Sequence, residues 1–303
     1  HQYYLFLAAL FILAIGIVLL QVAANPYITI LGSAKTASSR LTLIQGVGSV
    51  GTTVAPIFGA YFILANVQSS ASSDAVKYPY LGIALLLVLI AFIVFKLNLP
   101  VIKEKATEDV SVKSNTSVFR FRNLKFGVLA LFFYVGAEVS IGTFLTNYIA
   151  DTLNITEEFA NSYVSFYWGG MIVGRLLGAF VLKYLKASSV LVFCALMAAL
   201  VIAVSLGTTG YIAVWSMISV GLFNSIMFAI IFSLSVEGLG KHTTQGSGLL
   251  STAIMGGAII SYSQGVLVDN YNWHISFLLP LVCYLYIVFY GLNGYRVIKA
   301  KKM

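Results

Sequence analysis

Charge is scarce in this chain. Only 9% of its 303 residues are Asp, Glu, Lys or Arg, against roughly a quarter in an ordinary soluble domain, which excludes a conventional fold with a solvated surface. Cysteine is scarcer still. Cys194 and Cys283 each sit in a stretch read below as lipid-facing, where they serve as inert apolar filler. Of the three histidines, His242 and His274 fall in loops on opposite sides of the membrane, so no His/Cys metal cluster forms between them.

Apolar sequence is what the chain has instead, at 59% of residues. A bilayer-spanning helix needs about 20 mainly apolar residues, and nine stretches qualify, at 4–31, 42–65, 79–97, 126–150, 160–182, 188–206, 211–236, 245–268 and 275–295. The expected fold class is an all-α polytopic membrane protein. Lys and Arg accumulate in cytoplasmic loops, and here sixteen of the 18 basic residues follow spans one, three, five, seven and nine. The opposite loops hold Lys77 alone, and Arg175 lies inside a span. Topology, with a basic C-terminus against the anionic inner leaflet, therefore accounts for the net charge of +8 better than nucleic acid does. Nine spans and a cytoplasmic C-terminus put His1 outside. The run beginning there has no basic n-region, so a cleaved signal peptide is a poor reading, and an odd number of upstream spans is expected to be missing.

Gly46-x-Gly48-x-x-Gly51 matches a dinucleotide-binding fingerprint, but that pattern has meaning only between a strand and a helix. No strand precedes it and an apolar run continues through Leu64. The glycines instead belong to ladders of small residues four apart: Gly51, Ala55, Gly59; Gly170, Gly174, Gly178; and Gly248, Thr252, Gly256. Such ladders let helices approach closely in lipid. They fall in spans two, five and eight. Spans three, six and nine lack polar groups at depth and read as outer, lipid-facing helices. Spans one, four and seven carry Gln21 and Asn25; Glu138, Ser140, Thr143 and Asn147; and Asn224, Ser225, Ser233 and Ser235. A three-helix repeat of polar, small and apolar spans suits a two-lobed transporter whose lobes rock around a midplane cavity. Residues 1–99 form the remainder of an N-terminal lobe, 100–125 a cytoplasmic linker, and 126–303 a six-helix C-terminal lobe.

The stretches "LLQVAANPYITILGSAKTASSRLTLIQGVGSVGTTVAPIFG", "FYVGAEVSIGTFLTNYI", "YWGGMIVGRLLG" and "GLFNSIMFAIIFSLSVEGLGKHTTQGSGLL" resemble the fucose permease and glucose/galactose permease family of the major facilitator superfamily, and the glucose/galactose branch more than the fucose branch. The resemblance covers nearly the whole chain. It implies a twelve-span helical bundle whose first three spans precede this chain, and cation-coupled uptake of a hexose through the inner membrane. Three departures from the family stand out. A carboxylate of the fucose branch is replaced by Gln21, while its Gln appears here as Glu138. The family's Q-x-x-N-S-x-G is Gln45-Gly-Val-Gly48-Ser49-Val-Gly51, without the Asn. Its tenth-span proline is Ala229.

Glu138 is the one carboxylate inside any of the nine stretches. An intramembrane acid is expensive and is functional by default; its roles here are to bind a sugar hydroxyl, to titrate, or to ligate sodium, against a purely structural bond to a carbonyl. Gln21 and Asn25 lie one turn apart on one helical face, and Pro26 behind them predicts a kink. With Gln45 and Asn224 they offer the donors and acceptors that sugar hydroxyls need, inter-helix bonding being the alternative. Trp168 and Tyr163 suit stacking on a pyranose or anchoring at the interface. Asn147 is a more peripheral sugar candidate. Arg175 is expected to snorkel toward the cytoplasmic end of its helix, where the resemblance implies a gating contact with the loop bearing Lys183 and Lys186. Asn154-x-x-Glu157 reads as a capping box.

The expected protein is thus a monomeric secondary transporter with a small-molecule sugar as partner and no cofactor beyond proton or sodium. It is neither a nucleic-acid binder nor an enzyme, since Glu138 stands almost alone among titratable groups at depth. Fucose or N-acetylglucosamine transport, and a sensor that binds sugar without moving it, are the alternatives.

Overall fold

The computed structural model describes residues 2–59, 74–97 and 118–297. Every long element among them is a helix: α1 (Gln2–Ile30), α2 (Ala37–Gly59), α3 (Asp74–Lys96), α4 (Arg122–Leu153), α5 (Glu157–Tyr184), α6 (Ala187–Gly207), α7 (Gly210–Asn224), α8 (Met227–Val236), α9 (Thr243–Thr252), α10 (Gly256–Asn270) and α11 (Trp273–Phe289). Taking α7 with α8 and α9 with α10, eight helices among the described residues are long and apolar enough to cross a membrane. The second expected span runs as α2 to Gly59, and its residues 60–65 lie outside the described ones. So do most of the expected linker, at 98–117, and the C-terminal basic residues Lys299, Lys301 and Lys302.

Contacts divide the chain into two compact units, one of residues 1–43 with 108–303, the other of residues 44–107. In the second, α3 is apolar and exposed from Tyr80 to Leu97, the surface a lipid-facing helix presents. In the first, α4 is the central post: α5, α8, α10 and α11 all pack against it. Its buried stripe includes Leu131, Tyr134, Ile141 and Leu145. α6 packs on α7 and α11.

The α5 ladder serves close approach. A side-chain carbon on Gly174 would strike the Leu222 carbonyl and Ser225, and one on Gly178 would strike Ile226. The α10 end of the third ladder does the same, with Gly256 against the Phe132 carbonyl of α4, whereas Gly48, Gly51 and Gly248 face open space.

Four local expectations change. The seventh span is interrupted at Ser225 and Ile226, and the eighth passes through a 3-10 turn at Ala253–Met255. The kink expected at Pro26 is not among them: α1 is helical on both sides of this residue, whose carbonyl accepts from the Thr29 hydroxyl at 2.8 Å. Asn154 does not cap α5; it ends α4 in the left-handed region at φ 52°, which Asn tolerates better than most residues. Thr156 accepts from the Phe159 amide and is the cap. Finally, Cys194 and Cys283 are 6% and 1% exposed on the inward faces of α6 and α11, because one stripe of each helix packs within the bundle.

Candidate functional site

The interruption between α7 and α8 organises the polar centre. Where a helical ladder breaks, carbonyls lose their amide partners and must be satisfied otherwise. Three are taken by side chains: Leu222 O by the Ser225 hydroxyl at 2.6 Å, Asn224 O by the Tyr134 hydroxyl at 3.0 Å, and Ser225 O by Arg175 Nε at 3.3 Å. A serine bonding back to its own preceding turn competes with the helix ladder and bends it. A cation at the carbonyl end of α7 also complements the helix dipole.

Asn224 sits at the break, fully buried. Its Nδ2 donates to the Tyr167 hydroxyl at 3.1 Å, its Oδ1 accepts from the Tyr284 hydroxyl at 2.7 Å, and the Tyr167 hydroxyl donates to the Glu138 backbone carbonyl at 3.3 Å. The close approach of α5 and α7 permits this: Gly221 lies against the Tyr167 backbone, where any side chain would collide. One amide thereby links α4, α5, α7 and α11. The side-chain oxygen and one N–H of Asn224 are thus engaged within the protein, and through them it holds the centre together.

Glu138 is half-buried on α4. Its carboxyl lies within hydrogen-bonding reach of the Tyr134 hydroxyl one turn earlier and in the field of the Arg175 guanidinium. Arg175 thus turns inward to the break instead of snorkelling, because the Ser225 carbonyl offers it an acceptor at depth.

A second polar seam lies where α2 begins, at the end carrying Lys35 and Arg40. Ser38 and Ser233 of α8 meet hydroxyl to hydroxyl at 2.5 Å, and the Ser39 hydroxyl donates to the Ala179 carbonyl of α5 at 2.5 Å. One turn beyond Ser38 on α2, the buried Thr42 hydroxyl has no hydrogen-bond partner among the described residues, and neither has the buried Ser247 hydroxyl on α9. Arg40 braces the turn before α2 through the Ser33 and Thr29 carbonyls, both at 2.9 Å.

The remaining expected residues are spread out. Gln21 and Asn25 are half-buried on α1. Gln45, in the other unit, has a buried side-chain oxygen with no partner among the described residues. Trp168 is 47% exposed, its ring edge against Gly142. Asn147 is exposed and donates to Glu157 at 3.0 Å, and Tyr163 meets Trp215 edge to face. No cluster of metal-ligating residues occurs among the described residues. Sequence reasoning missed Tyr134, Tyr167 and Tyr284. Tyrosine counts as apolar when spans are recognised, and the one available signal was a hydroxyl recurring at depth beside Glu138 and Asn224.

The Major Facilitator Superfamily family pattern matches residues 1–262. Over 297 residues the chain is 48% identical to a Brucella abortus protein named glucose/galactose transporter, covering 96% of this chain and 72% of that one. It is 40% identical to a putative glucose/galactose transporter of Helicobacter pylori, covering 97% and 75%. The crystal structure of an Escherichia coli fucose:proton symporter variant superposes with a TM-score of 0.87 at 28% identity, covering 96% of this chain and 77% of that one. A structure of that symporter in the outward conformation gives 0.85, with 96% and 76% covered.

Proposed function

Because the chain belongs to the Major Facilitator Superfamily, and is a membrane transporter rather than an enzyme, we infer that it takes up a hexose such as glucose or galactose by alternating access. The extent of its match to a glucose/galactose transporter carries that reading. The coupling ion is a proton or sodium, with Glu138 the group that senses it. The likeness to a fucose:proton symporter favours the proton and makes fucose the second substrate to test. The membrane is the bacterial inner membrane, with the C-terminus cytoplasmic as the loop charges require, and the working unit is a monomer.

In this reading residues 1–99 and 126–303 act as two lobes joined by residues 100–125. Glu138, Gln21 and Asn25 address sugar hydroxyls, which need both donors and acceptors, and Trp168 offers a ring face. Gln45 is a further candidate on the chemistry of its side-chain amide. Asn224 and Arg175 position the site and gate it. The Ser38–Ser233 contact closes the cytoplasmic end, and it must part when the cavity turns inward.

The test is counterflow of labelled glucose into liposomes, competed by galactose, fucose and N-acetylglucosamine. Glucose accumulation that galactose suppresses supports the assignment. Suppression by fucose or N-acetylglucosamine alone reassigns the sugar, and absence of flux with folded protein removes the hexose reading.

A further inference from the structure

The Tyr134 hydroxyl has one proton and two acceptors. It donates to the Asn224 carbonyl at 3.0 Å, and the Glu138 carboxyl lies within its hydrogen-bonding reach. Residues four apart on a helix stack one turn above the other, so this proximity is built into α4. The Asn224 carbonyl is one of those freed by the α7–α8 break, and the next, Ser225 O, is held by Arg175, which is itself drawn electrostatically to Glu138. Both groups that cap the break therefore also answer to one carboxyl.

We propose that Tyr134 is a positioning residue that reports the protonation state of Glu138 to the α7–α8 break. With Glu138 protonated, the carboxyl O–H donates to the Tyr134 oxygen, Tyr134 donates to Asn224 O, and Arg175 stays on Ser225 O; the break is capped. With Glu138 ionised, the carboxylate is the stronger acceptor, since charge-assisted bonds are about twice as strong as neutral ones. It draws the Tyr134 proton and the Arg175 guanidinium to itself, and both carbonyls of the break lose their partners. One proton added to or removed from Glu138 balances the change, and the inference rests on the reading of Glu138 as the ion-sensing group.

The titratable groups that act on this carboxyl are few. They are Tyr134 on its own helix and Arg175 on α5, with Tyr167 of α5 and Tyr284 of α11 coupled to it through their hydroxyls. α7 and α8 bring amide, hydroxyl and carbonyl groups, α10 packs on α4 through Ile260 at Gly136, and α1 contains no acid or base other than tyrosine.

Two readouts test this, one of them independent of sugar. Hydrogen–deuterium exchange over residues 222–230, expressed as protection factors across pH, is expected to fall about fivefold to tenfold as Glu138 ionises, roughly what one hydrogen bond is worth. That step should vanish in Tyr134→Phe and in Glu138→Gln, and the double variant should behave as Glu138→Gln alone. In transport, Tyr134→Phe should flatten the pH profile of net uptake while KM in counterflow stays within about threefold of wild type. A Tyr134→Phe protein that keeps the wild-type pH step in exchange overturns the proposal, whatever its transport rate; a uniform loss of rate with an unchanged pH profile also counts against it. If the exchange step behaves as expected but the wild type moves no sugar, the hexose reading fails and the linkage stands.

Discussion

The polar centre at the α7–α8 break and the hydroxyl seam at the start of α2 are built from the same kinds of group and have opposite degrees of satisfaction. At the centre Asn224 engages three tyrosines, and the carbonyls of Leu222, Asn224 and Ser225 are all taken. At the seam two hydrogen bonds of 2.5 Å share α2 with the buried Thr42 hydroxyl, which has no partner among the described residues. Hydrogen bonds between membrane helices average about 0.6 kcal/mol and reach about 1.7, while an unsatisfied buried polar group costs about 1–3 kcal/mol. The seam's two bonds, together worth about 1–3 kcal/mol, and its unmet Thr42 hydroxyl, costing about 1–3 kcal/mol, are therefore of similar size. The centre's polar groups all answer one another, and the seam's do not.

Breaking the centre should have the largest effect. Asn224→Leu strands the buried Tyr284 hydroxyl, leaves Tyr167 only its bond to the Glu138 carbonyl, and should destabilise by about 2–4 kcal/mol, seen as a lowered thermal midpoint in detergent. Next comes the packing beneath it. Gly174→Ala forces a carbon against the Leu222 carbonyl and should cost about 1–3 kcal/mol. Gly169→Ala, on the same helix with nothing within 4 Å, should be neutral or stabilising by up to about 1 kcal/mol; equal melting points for the two would mean that the ladder does not bear on packing.

The seam should give smaller effects of two signs. Ser38→Ala and Ser233→Ala should each weaken closure by about 0.6 kcal/mol and fail to add when combined, as members of one pair do. Thr42→Val removes an unmet hydroxyl at nearly constant shape and should strengthen closure. Protection of residues 37–43 from hydrogen exchange reads both directions, and a loss of protection in Thr42→Val would contradict the balance argued here. The smallest change lies outside both regions. Asn154→Ala should lower stability by about 1 kcal/mol, and Asn154→Gly should not, because only the left-handed backbone at φ 52° is at stake.

Much of this was legible in advance. Apolar runs located the spans because lipid imposes a length on them, and Glu138 was evident because a carboxylate inside such a run has few structural excuses. The break at Ser225 was not legible, having neither Pro nor Gly; it depends on acceptors satisfied from α4 and α5, which no local pattern encodes. Tyr134, Tyr167 and Tyr284 were hidden by their own chemistry, each an apolar ring that carries a hydroxyl to depth. The direction of Arg175 was misjudged for a related reason: snorkelling is the default only where no acceptor waits inside.

The burial of Cys194 and Cys283, at 6% and 1% exposure, has a practical consequence. The chain's two thiols are sealed within packed helices, so water-soluble maleimides should leave the native protein almost unlabelled. A single cysteine placed at Ser38 or Ser233 would then report, against a silent background, how often the contact between them parts.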